Sequence, residues 1–171
     1  GGSTSAFTMP SRESASGSVT IQASPRIVSP EYFAALDLRI LEGRSLTDTD
    51  TATSEPVVVV NETFRKRFLG REALGARLPM ALWGQNQQGE ATIVGVSEDV
   101  RYVGAATTSL AELYFSFREL SVGVRPTTAW LMVRSDGDPA GLSDLVRSAV
   151  RDADASLVAD SIMTLEDRLL A

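Results

Sequence analysis

A chain of 171 residues with 43% hydrophobic and 22% charged side chains has room for one ordinary domain or for two small lobes sharing a core. Its net charge of −6 argues against nucleic-acid binding, which needs clustered Lys and Arg. Cysteine and histidine are both absent, which excludes disulfides and zinc sites of the Cys/His type.

In chain order, Gly1–Ser18 is rich in Ser, Gly and Thr and reads as a mostly flexible linker, with a short edge contact expected at Phe7 in its one apolar patch. Val19–Ala23 alternates apolar and polar residues and continues through Val28, which predicts a strand; Pro25 marks an edge or a bulge in it. The stretch Val28–Arg44, VSPEYFAALDLRILEGR, reads as a strand–helix–strand corner around which the rest is organised. Ser29 is placed to cap the helix, Pro30 suits its first position, and Glu31 suits the positive end of its dipole. Tyr32, Phe33 and Leu36 form the apolar stripe. Leu38–Leu41 then suits a short strand that Glu42-Gly43-Arg44 turns away.

Ser45–Pro56 is a polar loop. Asp48 and Asp50 are the residue type for a hard cation, but a calcium loop needs more oxygen donors at set spacing, so an Asx-turn linker is the preferred reading. Val57–Val60 is a β-branched run expected to be buried on both faces. Asn61 caps a helix over Glu62–Phe68, Gly70 ends it, and Phe64 and Phe68 face the core. The basic run Arg65-Lys66-Arg67 reads as a solvated helix face rather than a contact for lipid headgroups or an acidic partner.

Leu74–Leu78 opens a β region, and Ala81–Trp83 with Ala91–Val96 reads as a hairpin across the polar tip Gly84–Gly89. Leu113–Phe117 makes another strand, Ser121–Pro126 a linker, and Trp130–Arg134 a further strand. Asp138 and Pro139 start a helix whose Leu142, Leu145, Val146, Ala149, Val150 and Ala153 share one face. Ser156–Ile162 is a last predicted strand. Thr164–Ala171 is helical in pattern and uncapped, as expected of a chain that continues. The two β-α-β units, Val19–Leu41 and Trp130–Ile162, predict an α+β fold. In it, residues 19–44 and 126–163 form one small sheet with helices on one face, and 45–125 is an inserted β-rich lobe.

Catalytic chemistry is thinly represented. Without His or Cys there is no Ser-His triad or Cys-His dyad, and a Ser-Lys dyad would have to use Lys66 between two arginines. No nucleophile elbow, P-loop or dinucleotide fingerprint occurs. The acid pairs Glu98/Asp99, Asp136/Asp138 and Asp152/Asp154 sit beside turns and helix ends, where capping explains them. No catalytic, cofactor-binding or metal-ligating residue is assigned.

Three blocks carry a family resemblance: Val28–Arg44; Val57–Phe68 (VVVVNETFRKRF) followed by Leu74–Leu78 (LGARL); and Ile93–Tyr102 (IVGVSEDVRY) with Glu112–Phe115 (ELYF). In this order and spacing the chain from Arg26 onward resembles the extracytoplasmic core domain of MacB/FtsX-like ABC-transporter permeases. Asp37 departs from the family pattern, standing where a glycine is usual, and Ser97-Glu98 replaces a small-residue pair.

The resemblance implies a porter-like lobe of the two β-α-β units with a small β-rich lobe inserted. It implies a non-catalytic domain on the periplasmic face of the cell membrane, relaying ATP-driven movement and binding a substrate or a periplasmic adaptor. The implied partners are a second permease protomer and an ABC ATPase subunit or domain, with membrane helices flanking the domain. Residues 164–171 would then begin the stalk toward a membrane span, with 1–18 as the linker opposite. The candidate partner contact is the tip, with Trp83, Gln85, Asn86, Gln87 and Gln88. The competing expectation is a free-standing secreted domain that binds a ligand or hydrolyses one with carboxylates, Asp99 and Asp138 among them.

Overall fold

The computed structural model describes residues 5–10, 18–70, 72–79, 89–100, 110–119, 128–164 and 167. They fall into two units, Gly1–Val100 with Thr108–Trp130, and Arg101–Thr107 with Leu131–Ala171.

In the first unit the strands are β1 (Ser5–Pro10), β2 (Ser18–Val28), β3 (Ile40–Gly43), β4 (Val57–Asn61), β5 (Arg77–Pro79), β6 (Glu90–Ser97) and β7 (Glu112–Ser116). They form a mixed seven-stranded sheet in the order β1-β2-β7-β4-β6-β3, and β5 also pairs with β6. The β2–β7 and β4–β6 pairs are parallel; the others are antiparallel. Thus β2 and β3, which flank the first predicted corner, hydrogen-bond to β7 and β6 rather than to each other.

The Val57–Val60 run is buried along its whole length, as its composition predicts. The reason is alternation between two cores. Val58 and Val60 join Leu113, Phe115 and Ile93 on one face of the sheet. Val57 and Val59 join Tyr114, Phe33 and Leu46 on the other. The first core is capped by Phe64 and Leu69, which come from α2 (Glu62–Phe64) and the π-helical turn Arg65–Leu69 that continues it. The second is capped by Phe33 of α1 (Tyr32–Ala35). Helices therefore cover both faces of this sheet.

Pro25 does not interrupt β2. Ser24 donates its N–H to the Ala111 carbonyl at 2.8 Å, so strand alternation turns the Pro25 nitrogen away from β7. The last β1–β2 pair is Ser5↔Ala23, so no described ladder bond needs a donor at Pro25.

The helix after Ser29-Pro30-Glu31 is a single turn beginning at Tyr32, and the Ser29 hydroxyl does not cap it. The Tyr32 N–H donates instead to the Ser29 carbonyl at 3.1 Å. The Ser29 hydroxyl bonds the Glu31 carboxylate, which sits below its usual pKa through that bond and a backbone N–H bond, the latter the larger cause. The turn ends in a Schellman motif, with Leu38 N–H on Phe33 O at 2.8 Å and Asp37 N–H on Ala34 O at 3.2 Å. Asp37 takes the left-handed position at φ 56°. A glycine is the usual residue there because it alone avoids the Cβ–carbonyl crowding.

In the second unit a 3₁₀ turn, Pro139–Leu142, leads into α3 (Ser143–Ala153). Asp138 lies just ahead of that turn, as the capping pattern predicts. The strands expected at Trp130–Arg134 and Ser156–Ile162 are not formed. Their alternation is present, but alternation alone does not make a strand, which also needs a neighbouring ladder.

Candidate interaction surface

The tip proposed from sequence joins β5 to β6. These strands pair antiparallel, with Pro79↔Glu90 the last registered pair. One face of its stem is charged and exposed, with Arg77 3.4 Å from Glu55 and 3.7 Å from Glu90, while Leu78 and Ala91 are buried on the other. Gly89, at the base, has φ 108°, a conformation that costs glycine little. Trp83, Gln85, Asn86, Gln87 and Gln88 lie outside the described residues, as does the predicted strand Ala81–Trp83. The described partner of β6 in this hairpin is Arg77–Pro79.

The basic run is largely neutralised within the chain. Lys66 lies 2.9 Å from Glu62, and Arg65 lies 3.5 Å from Glu62 and 3.7 Å from Glu42. Arg65 is mostly buried, which is why the run does not present a simple cationic face. The lowered pKa of Glu62 follows first from its bond to Lys66.

The acids singled out from sequence also have structural tasks. Both oxygens of Asp99 hold Thr63, accepting its N–H at 2.9 Å and its hydroxyl at 2.8 Å at the start of α2. Glu98 takes the Arg39 guanidinium and backbone N–H. Asp50 binds Arg44 through two bonds, 2.8 and 2.9 Å, and accepts the Thr47 N–H and hydroxyl at 2.7 and 3.0 Å. The bonds from Thr47 reach back three residues instead of forward two, so Asp50 closes the loop without making the expected Asx-turn. Burial works against the Asp50 charge, yet Arg44 and Thr47 together hold its pKa below the ordinary carboxylate value. Asp48 pairs with Arg118 at 2.8 Å. Among the described residues no group of three His, Cys, Asp or Glu is placed to hold a metal ion.

Two buried acids were not singled out from sequence as candidate sites. Glu112, 1% exposed, accepts Arg26 Nε and Nη2 at 3.0 and 2.9 Å on one oxygen and the Tyr114 hydroxyl at 2.8 Å on the other. Glu119, in the turn Phe117–Glu119 after β7, accepts the Val57 N–H at 3.3 Å through Oε1, while Oε2 is buried without a partner. Burial, with the Asp50 charge adding to it, pushes its pKa to about 7 against the opposing effect of the Val57 N–H. Only the alternation Glu112-Tyr114-Ser116 hinted that a charged residue shared a face with a buried ring.

The family profile described as the MacB-like periplasmic core domain matches residues 3–149. The chain belongs to this family. As a MacB-like periplasmic core domain it is extracytoplasmic, and its family is that of ABC-transporter permeases. Its fold is similar to the periplasmic region of MacB from Actinobacillus actinomycetemcomitans, at TM-score 0.57 and 19% identity. That match covers 89% of this chain but 64% of the other, so the domain spans just under two thirds of that region. It is also similar to a domain of a putative permease protein from Porphyromonas gingivalis, at TM-score 0.53 and 15% identity, covering 97% of this chain and 77% of that one. Among curated proteins, none matches the sequence. No helix among the described residues is long and apolar enough to cross a membrane.

Proposed function

We propose that this domain is a moving, non-catalytic part of a permease, relaying ATP-driven displacement on the extracytoplasmic side and offering a surface to a substrate or a periplasmic partner. The family match over residues 3–149 carries the reading. A second permease protomer and an ABC ATPase subunit or domain are the partners it calls for, with any adaptor meeting the tip at Trp83 and Gln85–Gln88. A sheet packed on both faces is stiff, which suits a body displaced as a unit. The rival hydrolytic reading gains nothing from Asp99, which is spent on holding Thr63.

These 171 residues hold no cysteine, so a cysteine introduced here carries the domain's single spin label once any cysteines elsewhere in the permease are replaced. In the full-length permease with its ATPase, a label at Gln87→Cys reports the separation between tips of the two protomers. Movement coupled to ATP predicts a changed distance distribution between nucleotide-free and ATP-bound states. Identical distributions in both states overturn the relay.

A further inference from the structure

The Ser45–Pro56 loop is tied to the turn after β7 by two contacts, and its junction with β4 by a third. The Ala52 N–H donates to the Arg118 carbonyl at 3.0 Å, Asp48 pairs with Arg118, and the Glu119 carboxyl bridges to the Val57 N–H where the loop enters β4. Two of these are ordinary surface links. Glu119 differs because it is 9% exposed and brings an ionisable group into the join.

Its surroundings decide which protonation state the join accepts. The charged groups acting on it are Asp50, which repels a second negative charge, and Arg44, which attracts one. Arg44 already spends Nη1 and Nη2 on Asp50. Arg118, next to Glu119 in the same turn, is engaged with Asp48. An ionised Glu119 therefore has one backbone N–H and no counter-ion of its own among the described residues, while Oε2 has no donor at all. A buried carboxylate in that position costs more than a neutral carboxyl, even though the carboxyl's own O–H finds no partner there among the described residues.

We propose that Glu119 is a proton-operated latch: neutral, it holds the Ser45–Pro56 loop to the end of β7 and the start of β4, and ionised, it releases that loop. The relay reading is not required for this. The upward shift of Glu119 to about 7 puts the transition within the pH range an extracytoplasmic domain meets. The direction follows from the sign of the shift. The raised folded-state value means the neutral carboxyl's contribution is complete below the ordinary value of 4.5 and is lost as pH rises toward 7.

Two measurements on the whole chain test it. A carboxyl-carbon NMR titration of the wild type should place Glu119 near neutrality; a midpoint below pH 5 overturns the proposal. Amide hydrogen exchange, corrected for intrinsic rates, should show protection at Ala52 and Val57 falling by about tenfold or more between pH 6 and pH 8. Val59, in the centre of the sheet, should stay unchanged. Glu119→Gln should hold Ala52 and Val57 protected at both pH values. A wild type with flat protection, or a glutamine variant that follows the wild-type fall, overturns the latch. If the variant fails to fold, the two wild-type measurements still decide.

Discussion

Asn61 joins three elements through one side chain. Its Oδ1 accepts the Phe64 N–H at 2.9 Å and the Glu112 N–H at 3.0 Å, and its Nδ2 donates to the Leu110 carbonyl at 2.7 Å. It is 1% exposed, so water does not replace these bonds if the amide is removed. Asn61→Ala should cost about 3 kcal/mol in denaturant unfolding, well above the usual loss of a surface cap. Asp37 offers the opposite case. Its φ of 56° is unfavourable for a residue with a Cβ, so Asp37→Gly should raise stability by up to about 1 kcal/mol, while Asp37→Val should lower it. The two buried acids beside Arg44 titrate with opposite sign. Asp50 is depressed, so its contribution is present above its ordinary value of 3.8 and is lost as pH falls below it. Glu119 is raised, so its contribution fades from 4.5 upward. Glu119→Gln should therefore melt with the wild type near pH 4.5 and increasingly above it toward pH 8, as thermal scans across that range would show.

Gly43 and Gly95 face each other as β3 crosses β6. A Cβ on Gly95 would collide with the Arg44 carbonyl oxygen, and one on Gly43 with the Val94 carbonyl oxygen, where φ of 74° also favours glycine. Backbone cannot yield as a side-chain tip does, so Gly95→Ala should cost about 2–3 kcal/mol and loosen β3 first, seen as lost amide protection at Gly43 and Arg44. Both glycines lie in blocks that carry the family resemblance, and their mutual contact gives those positions a physical reason. Much else was legible at this scale: the valine strand, the Asn61 cap, the Phe64/Phe68 pair with ring centroids 5.1 Å apart, and α3. What local pattern hid was partnership. Leu38–Leu41 reads as a strand whatever it pairs with, and only the folded sheet assigns β3 to β6. Trp130–Arg134 carries the same kind of alternation and is not in a strand pair among the described residues. The parallel neighbours β4 and β6 are joined through α2 and β5, a crossover that the sequence reading placed within an inserted lobe. The tip's contact residues lie outside the described part, so the candidate surface stands on sequence, whereas Glu119 stands on packing that no motif announces.

At the scale of the molecule, both cores belong to the first unit. The side chains that build them run from Ile21 to Phe115, and the aromatic cluster Tyr32–Phe33–Tyr114 has centroid separations of 5.1 to 5.6 Å. In the second unit α3 sets its apolar residues on one face yet buries none of them. Folding free energy comes mainly from apolar burial, so the first unit has what an independent domain needs. Among the described residues of the second unit no α3 side chain is fully buried, and isolated helices of eleven residues are marginal in water. A chain ending at Trp130 should therefore keep a single cooperative unfolding transition and the near-ultraviolet signal of Tyr32 and Tyr114. A peptide of residues 138–156 should be mostly unfolded by circular dichroism. If the shortened chain instead loses its cooperative transition while keeping helix and sheet signals, packing within Gly1–Trp130 is insufficient, and the second unit is part of the folding domain rather than an appendage to it.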